Sequence, residues 1–374
     1  MNNENNPSKG ATTPENIIAQ AYHNETSTET KTTGPLEERH TAPLYNVELE
    51  VIPSSMTVRE LRHKLQIDID PDETDGKYHV PFTRQLLTYA FAGEKTKEEI
   101  REMYIQLIPH WWNFSRVDHG VTDKSGIKRA DIKMVKHAER SAAIGFEMSI
   151  LYSTLQEKLK TLKEKSITET EYNKVSDALL LNELLSDTSS QFLDDIELDK
   201  ETIKEVSKIA LQLLLHDIGK GKKENGKFKH REYLMSHDGL TDEQFKTMQE
   251  HSQDGVDILE QIVSTDKKRL FDNAFINTIS DHQNIFTANK SLADELGPIV
   301  DGLDAATHRR SYSDGEPLES FLILKDTLGM YAINDKRLNA QFDKSGNHLL
   351  KYVTYRWIRY MVLYGGQRIH TTSY

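Results

Sequence analysis

One helix decides much of what this chain can become. Between residues 199 and 218, Ile203, Val206, Ile209, Ala210, Leu213 and Leu214 fall on one face at helical spacing. His216 and Asp217 continue that stripe three and four positions after Leu213, so both point at the core. A buried carboxylate is costly unless a cation or hydrogen bonds compensate it. A helix ending in His-Asp on its apolar face therefore needs a partner there, and a metal ion is the economical one. The string His216-Asp217-Ile218-Gly219-Lys220 is far more specific than an isolated His-Asp pair.

The surroundings of that helix set the fold class. From about residue 128 the chain reads almost entirely helical, over 129–164, 170–195, 199–218, 241–263, 271–283, 291–309, 316–330 and 347–363. No repeat period emerges, and no Asn-Gly or Asp-Gly pair joins two strand-like runs. Residues 126–374 are expected to form an all-helical domain, giving a mainly α protein. Ahead of it, residues 1–43 are rich in Asn, Thr, Glu and Lys and bury almost nothing apolar, which predicts a disordered tail. Residues 44–125 read as a small α/β module. Tyr45 to Val51 alternates like a half-buried strand, Pro53-Ser54-Ser55 turns, Met56 to Leu65 reads helical, and 83–114 gives one or two helices ending in Trp111-Trp112-Asn113-Phe114. Paired tryptophans most often plug a core or a domain boundary.

Charge and cysteine content narrow the function. Across 374 residues, 47 basic against 59 acidic side chains leave a formal charge of −12, and such a surface repels polyphosphate. Stable nucleic-acid binding is not expected. The absence of cysteine excludes disulfides and thiolate metal ligands. No run approaches the roughly 20 apolar residues that span a bilayer, and the first residues lack the basic and apolar regions of a secretory signal. A cytoplasmic protein without membrane attachment is the expectation.

Other helices carry donors on their inward sides. His137 follows Met134 by three, and His251 follows Met248 by three on a stripe with Phe245, Ile258, Leu259 and Ile262. Asp281 and His282 follow the stripe of Phe271, Phe275 and Ile279, while Asp301 and Asp304 sit beside Val300 and Leu303. Each histidine alone reads as a satisfied core or surface residue. Seven nitrogen and oxygen donors on five helices read differently. His119, His230, His237 and His308 fit no such position and read as surface residues. Between Gly219 and Arg231, five lysines beyond Gly219 and Arg231 itself face the single acid Glu224, an excess that would steer an anion inward or simply form a solvated loop.

The order His137, then His216-Asp217, then Asp301 resembles the HD superfamily of metal-dependent phosphohydrolases, with the closest similarity to its HD-GYP branch, which hydrolyses cyclic di-GMP. His137-Ala138-Glu139-Arg140 is similar to that branch's H-x-x-R, and His216 to Lys220 to its H-D-x-G-K. Leu240-Thr241-Asp242-Glu243, with Met248, His251, Gly255, Ile258 and Leu259, resembles L-T-x-E…M-x-x-H-x-x-x-G-x-x-I-L. Asp301 to Thr307 with Arg310-Ser311-Tyr312 resembles D-x-x-D-A-x-T…R-P-Y. The likeness spans about 130–315. It departs where the branch has two histidines, a glutamate and Gly-Tyr-Pro. Here the chain reads Asp281-His282-Gln283-Asn284 and then Ile285-Phe286-Thr287. Lys133 stands where some members place a glutamate for a third metal.

The resemblance implies two divalent metal ions. One would take His137, His216, Asp217 and Asp301; the other His251, Asp281 and His282, with Asp217 bridging. Imidazole and carboxylate donors suit iron or manganese first, zinc or nickel next. It also implies a phosphodiesterase that attacks a cyclic dinucleotide such as cyclic di-GMP through a metal-bridging hydroxide. Asp217 and Lys220 would be catalytic, with Lys220 and Arg310 on the phosphate. The rival readings are an HD-type phosphohydrolase of another nucleotide or phosphate ester, and a catalytically silent nucleotide sensor. The partner would be a small phosphodiester or nucleotide, with residues 44–125 open to a protein partner.

Overall fold

Capping residues set where most of the early elements begin. A computed structural model of the chain describes residues 51–69, 78–79, 82–117, 133–165, parts of 168–179, 191–234, 240–281, 291–307, 322–324, 331–333 and 348–360. The short strand β1 (Ser55–Thr57) leads into α1 (Val58–Leu65), where Thr57 and Glu60 cap one another reciprocally. Strands β2 (Asp68–Ile69) and β3 (Tyr78–His79) pair antiparallel. Thr83 then caps α2 (Arg84–Ala90), and Thr96 with Glu99 forms a second capping box on α3 (Lys97–Arg116). The long α4 (Lys133–Lys165) is followed by α5 (Gln191–Asp194) and β4 (Glu197–Asp199). Strand β4 returns antiparallel to β1, with Met56 opposite Leu198.

The elements that follow build the site. Asp199 caps α6 (Lys200–Leu215), and a single 3-10 turn, Ile218–Gly221, leaves its C-terminus. A hairpin of β5 (Lys223–Glu224) and β6 (Lys227–Phe228) comes next, then the short α7 (Arg231–Leu234). Helices α8 (Asp242–Gln249), α9 (His251–Glu260), α10 (Asn273–Asp281) and α11 (Leu292–Thr307) follow. The antiparallel pair β7 (Leu322–Leu324) and β8 (Tyr331–Ile333) precedes α12 (His348–Tyr360).

The core is centred on α4 and α6. Ile203, Val206, Ala210 and Leu214 on α6 are fully buried, as are Ala138, Ala142 and Phe146 on α4. Helices α11 and α12 pack on α4. The earlier elements join the same core: α2 lies along α6, and α3 lies against the 3-10 turn. Phe91, just past α2, meets Phe271 and Phe275 at ring separations of 5.7 and 5.6 Å. Trp111 stacks on Phe82 at 5.5 Å inside this core, whereas Trp112 is half-buried beneath Arg116. On α1, Arg62 pairs with the buried Glu147 of α4 at 2.7 Å and also with Asp194.

Four sequence expectations change here. The 241–263 helix is divided at Glu250 into α8 and α9, and Phe245, drawn on one continuous stripe, is exposed. Within the expected 316–330 helix, Leu322–Leu324 forms a strand, because a short apolar run cannot be told from helix by periodicity. Asn225 and Gly226, with φ of 51° and 79°, do turn a hairpin, although lysines rather than apolar residues flank them. His230 is not a surface residue: it is fully buried. The expected tail over 1–43 and all of the Tyr45–Val51 strand but Val51 lie outside the described residues.

Candidate metal centre

Helix α6 ends at Leu215, so His216 and Asp217, both buried, occupy the exit of a largely buried helix. The chain turns sharply there because Gly219 has no side chain. A Cβ at that position would stand 2.0 Å from the His251 carbonyl oxygen and 2.4 Å from the Gly255 nitrogen. The 3-10 turn therefore lies directly on α9, bringing Asp217 against His251. From the other side, α4 carries His137 and α11 carries Asp301 and Asp304.

Each of the three histidines has its Nδ1 engaged. That of His137 lies 2.6 Å from Asp304 Oδ2, that of His216 lies 2.6 Å from the Leu213 carbonyl, and that of His251 faces the Met248 carbonyl. The Nε2 atoms are left to face inward, the arrangement in which metal-bound imidazoles are held by a neighbouring acceptor. Arg140 in turn holds Asp304 through both carboxylate oxygens.

The inward donors are spaced for an ion. His137 Nε2 lies 3.3 Å from His216 Nε2, 3.4 Å from Asp217 Oδ2 and 3.3 Å from Asp301 Oδ1. His216 Nε2 lies 3.5 Å from Asp217 Oδ2. Two donors each about 2.1 Å from one ion at a tetrahedral angle stand roughly 3.4 Å apart, so these separations fit. His137, His216 and Asp217 form a buried cluster able to hold a metal, and Asp301 at its rim is half-exposed. The second oxygen of Asp217, Oδ1, is 3.0 Å from His251 Nε2. One carboxylate thus faces donors on two sides.

Electrostatics follow from that crowding. Burial would lower the His137 imidazole, but the Asp304 charge and bonds with Asp217, Asp301 and Asp304 outweigh it and raise it to about 10. His216 moves down, through burial first, with the charges of His137 and Lys220 adding to it. For Asp217, burial pushes up, yet Lys220, His216, His137 and His251 hold it well below the usual carboxylate range. Lys220 is itself buried, its Nζ 2.5 Å from Asp217 Oδ2.

Of the other expected site residues, Asp281 is the last residue of α10, and His282 and Arg310 lie outside the described residues. The basic loop is less free than its composition suggests. Lys222 and Lys229 flank the hairpin, and both bond the buried Asp254 of α9, at 2.6 and 2.9 Å. His230 Nε2 meets the same carboxylate at 2.7 Å. Burial and the neighbouring His251 push the His230 imidazole down, against the pull of Asp254. Asp304 carried a signal in the sequence, since the i, i+3 spacing from Asp301 puts both on one helix face. Asp254 carried a fainter one, three residues after His251. His230 carried none, because only the hairpin brings it inward.

Compared with known families, residues 178–318 match the HD domain, an interval that includes His216, Asp217, His251 and Asp301 but begins after His137. No curated protein and no solved structure matches the chain.

Proposed function

We propose that the chain, whose residues 178–318 match the HD domain, is a metal-dependent phosphohydrolase of the HD superfamily, and more closely a two-metal phosphodiesterase acting on a cyclic dinucleotide such as cyclic di-GMP. The observation that carries this reading is Asp217, whose Oδ2 faces His137 and His216 while its Oδ1 faces His251. A carboxylate used from both sides is what two neighbouring ions require.

On this reading His137, His216, Asp217 and Asp301 hold one ion, and His251, Asp281 and His282 hold the other, with Asp217 shared. The oxygen and nitrogen donors favour iron or manganese, then zinc or nickel. When bound, such ions supply Lewis-acid polarisation of the phosphoryl group and an acidified water. The chain's own residues do the rest. Asp304 and the carbonyls of Leu213 and Met248 keep the three imidazoles turned inward. Lys220 is poised beside Asp217 to neutralise charge developing on the phosphoryl oxygens, and Arg310 binds phosphate.

Product analysis tests it. Cyclic di-GMP incubated with manganese- or iron-loaded protein should give linear dinucleotide or mononucleotide with wild type and nothing with Asp217→Asn. Intact cyclic di-GMP with metal verifiably bound would reject that substrate and leave the mononucleotide or other phosphoester reading. Nucleotide binding unaffected by chelation, with no turnover of any phosphoester, would favour a silent sensor instead.

A further inference from the structure

The described residues contain a second polar cluster beside the metal centre, and one member of it is incomplete. His230 is fully buried, yet its Nδ1 meets no hydrogen-bond partner. Its Nε2 is fixed at 2.7 Å from Asp254 Oδ2, so the proton belongs on Nε2 and the Nδ1 lone pair is open. A buried polar atom without a partner costs free energy, and native proteins rarely leave one without reason.

The hairpin exists in a form that delivers this ring. Its base closes through the Lys229 N–H on the Lys222 carbonyl at 3.0 Å, and both lysine side chains clamp Asp254. Asp254 lies one turn after His251 on α9. His230 is thereby held edge-on to His251, with ring centres 6.2 Å apart and planes at 85°. With metal–nitrogen bonds of about 2.1 Å, two imidazoles on one ion have centres roughly 5.3 Å apart at the tetrahedral angle and roughly 6.4 Å apart when trans, so this separation fits a wide-angle pair of the kind an octahedral ion accepts. A carboxylate on one ring nitrogen and an open lone pair on the other is the usual dressing of a metal-bound histidine. Its ring contact is with His251, whose Nε2 faces Asp217 Oδ1, and this puts His230 on the His251 side of Asp217.

We propose that His230 is a nitrogen donor to the ion on the His251 side of Asp217, with Asp254 as its positioning carboxylate. This rests on the two-ion reading above. It supplies an imidazole where the sequence offers Asp281 in place of a histidine.

Manganese alone is the probe, counted by elemental analysis and titrated by calorimetry on the full chain. Wild type should bind two Mn2+. His230→Gln should keep one and bind the second at least tenfold more weakly. Asp254→Asn should weaken the same ion by about 10- to 100-fold, as loss of a supporting carboxylate does, and the exposed His63→Gln should change nothing. Circular dichroism checks that each variant folds, and Asp254→Asn carries the test if His230→Gln does not. Two ions bound at unchanged affinity in both variants, even with a lowered melting temperature, would make His230 structural and overturn the inference alone. A wild type that binds fewer than two Mn2+ would overturn the two-ion reading and the inference with it.

Discussion

At the scale of single residues, the centre depends on which nitrogen of each histidine faces inward. Asp304 decides this for His137, and Arg140 keeps Asp304 in place. Asp304→Asn should therefore leave the donors present but loosely aimed, weakening manganese binding by about 10- to 100-fold by calorimetry. Protonation gives a second handle. Without metal, His137 in the folded chain holds its proton up to about pH 10, against an ordinary value of 6.5. A raised value of this kind stabilises the fold fully below the ordinary value, and the contribution is lost as pH rises through the folded one. Metal must displace that proton. Manganese uptake near pH 7.5 should release a proton, seen as a dependence of the calorimetric heat on buffer ionisation, and affinity should fall as pH drops from 8.5 to 6.5. Uptake without proton release would contradict the assignment of His137 as a donor.

At the scale of elements, the decisive contact is the 3-10 turn on α9. Gly219→Ala would drive a Cβ into the backbone of His251 and Gly255, which cannot yield as a flexible side chain does. The turn and helix must separate, so a loss of about 1–3 kcal/mol in thermal or denaturant unfolding is expected, with weakened metal binding because Asp217 and His251 part. Unchanged stability would mean that the two elements are not in that contact. This scale also shows what the sequence could reveal. The α6 stripe running into His216 and Asp217 was legible because local periodicity alone fixes which way those side chains point. The buried placement of His137, three residues after the inward Met134 on α4, was legible for the same reason, whereas His251 follows the inward Met248 across the break at Glu250. What escaped was non-local. His230 is buried by a hairpin whose strands carry lysines rather than an apolar alternation, and Lys222 and Lys229 are drawn off by a carboxylate 25 or more residues away. Leu322–Leu324 escaped because its pairing with Tyr331–Ile333 leaves no trace in a three-residue run.

At the scale of the whole molecule, the elements before α4 are part of the same hydrophobic core as the metal-bearing helices. Arg62 and Glu147 tie α1 to the middle of α4, with Glu147 only 1% exposed. Arg62→Ala should strand that carboxylate and destabilise the fold by about 3–5 kcal/mol, whereas Arg62→Met with Glu147→Leu should recover most of the loss. Equal stability of the single and double variants would argue against a buried pair. The core that this packing completes is what holds three histidines and a shared aspartate in register, and that register is the basis for assigning metal-dependent phosphoester hydrolysis. The most direct test is release of a phosphomonoester from a simple phosphodiester, followed by phosphorus NMR, in wild type and Asp217→Asn with and without manganese. Release by wild type that appears with manganese, disappears on chelation and is absent in Asp217→Asn is predicted. Release that persists in Asp217→Asn or under chelation would contradict it.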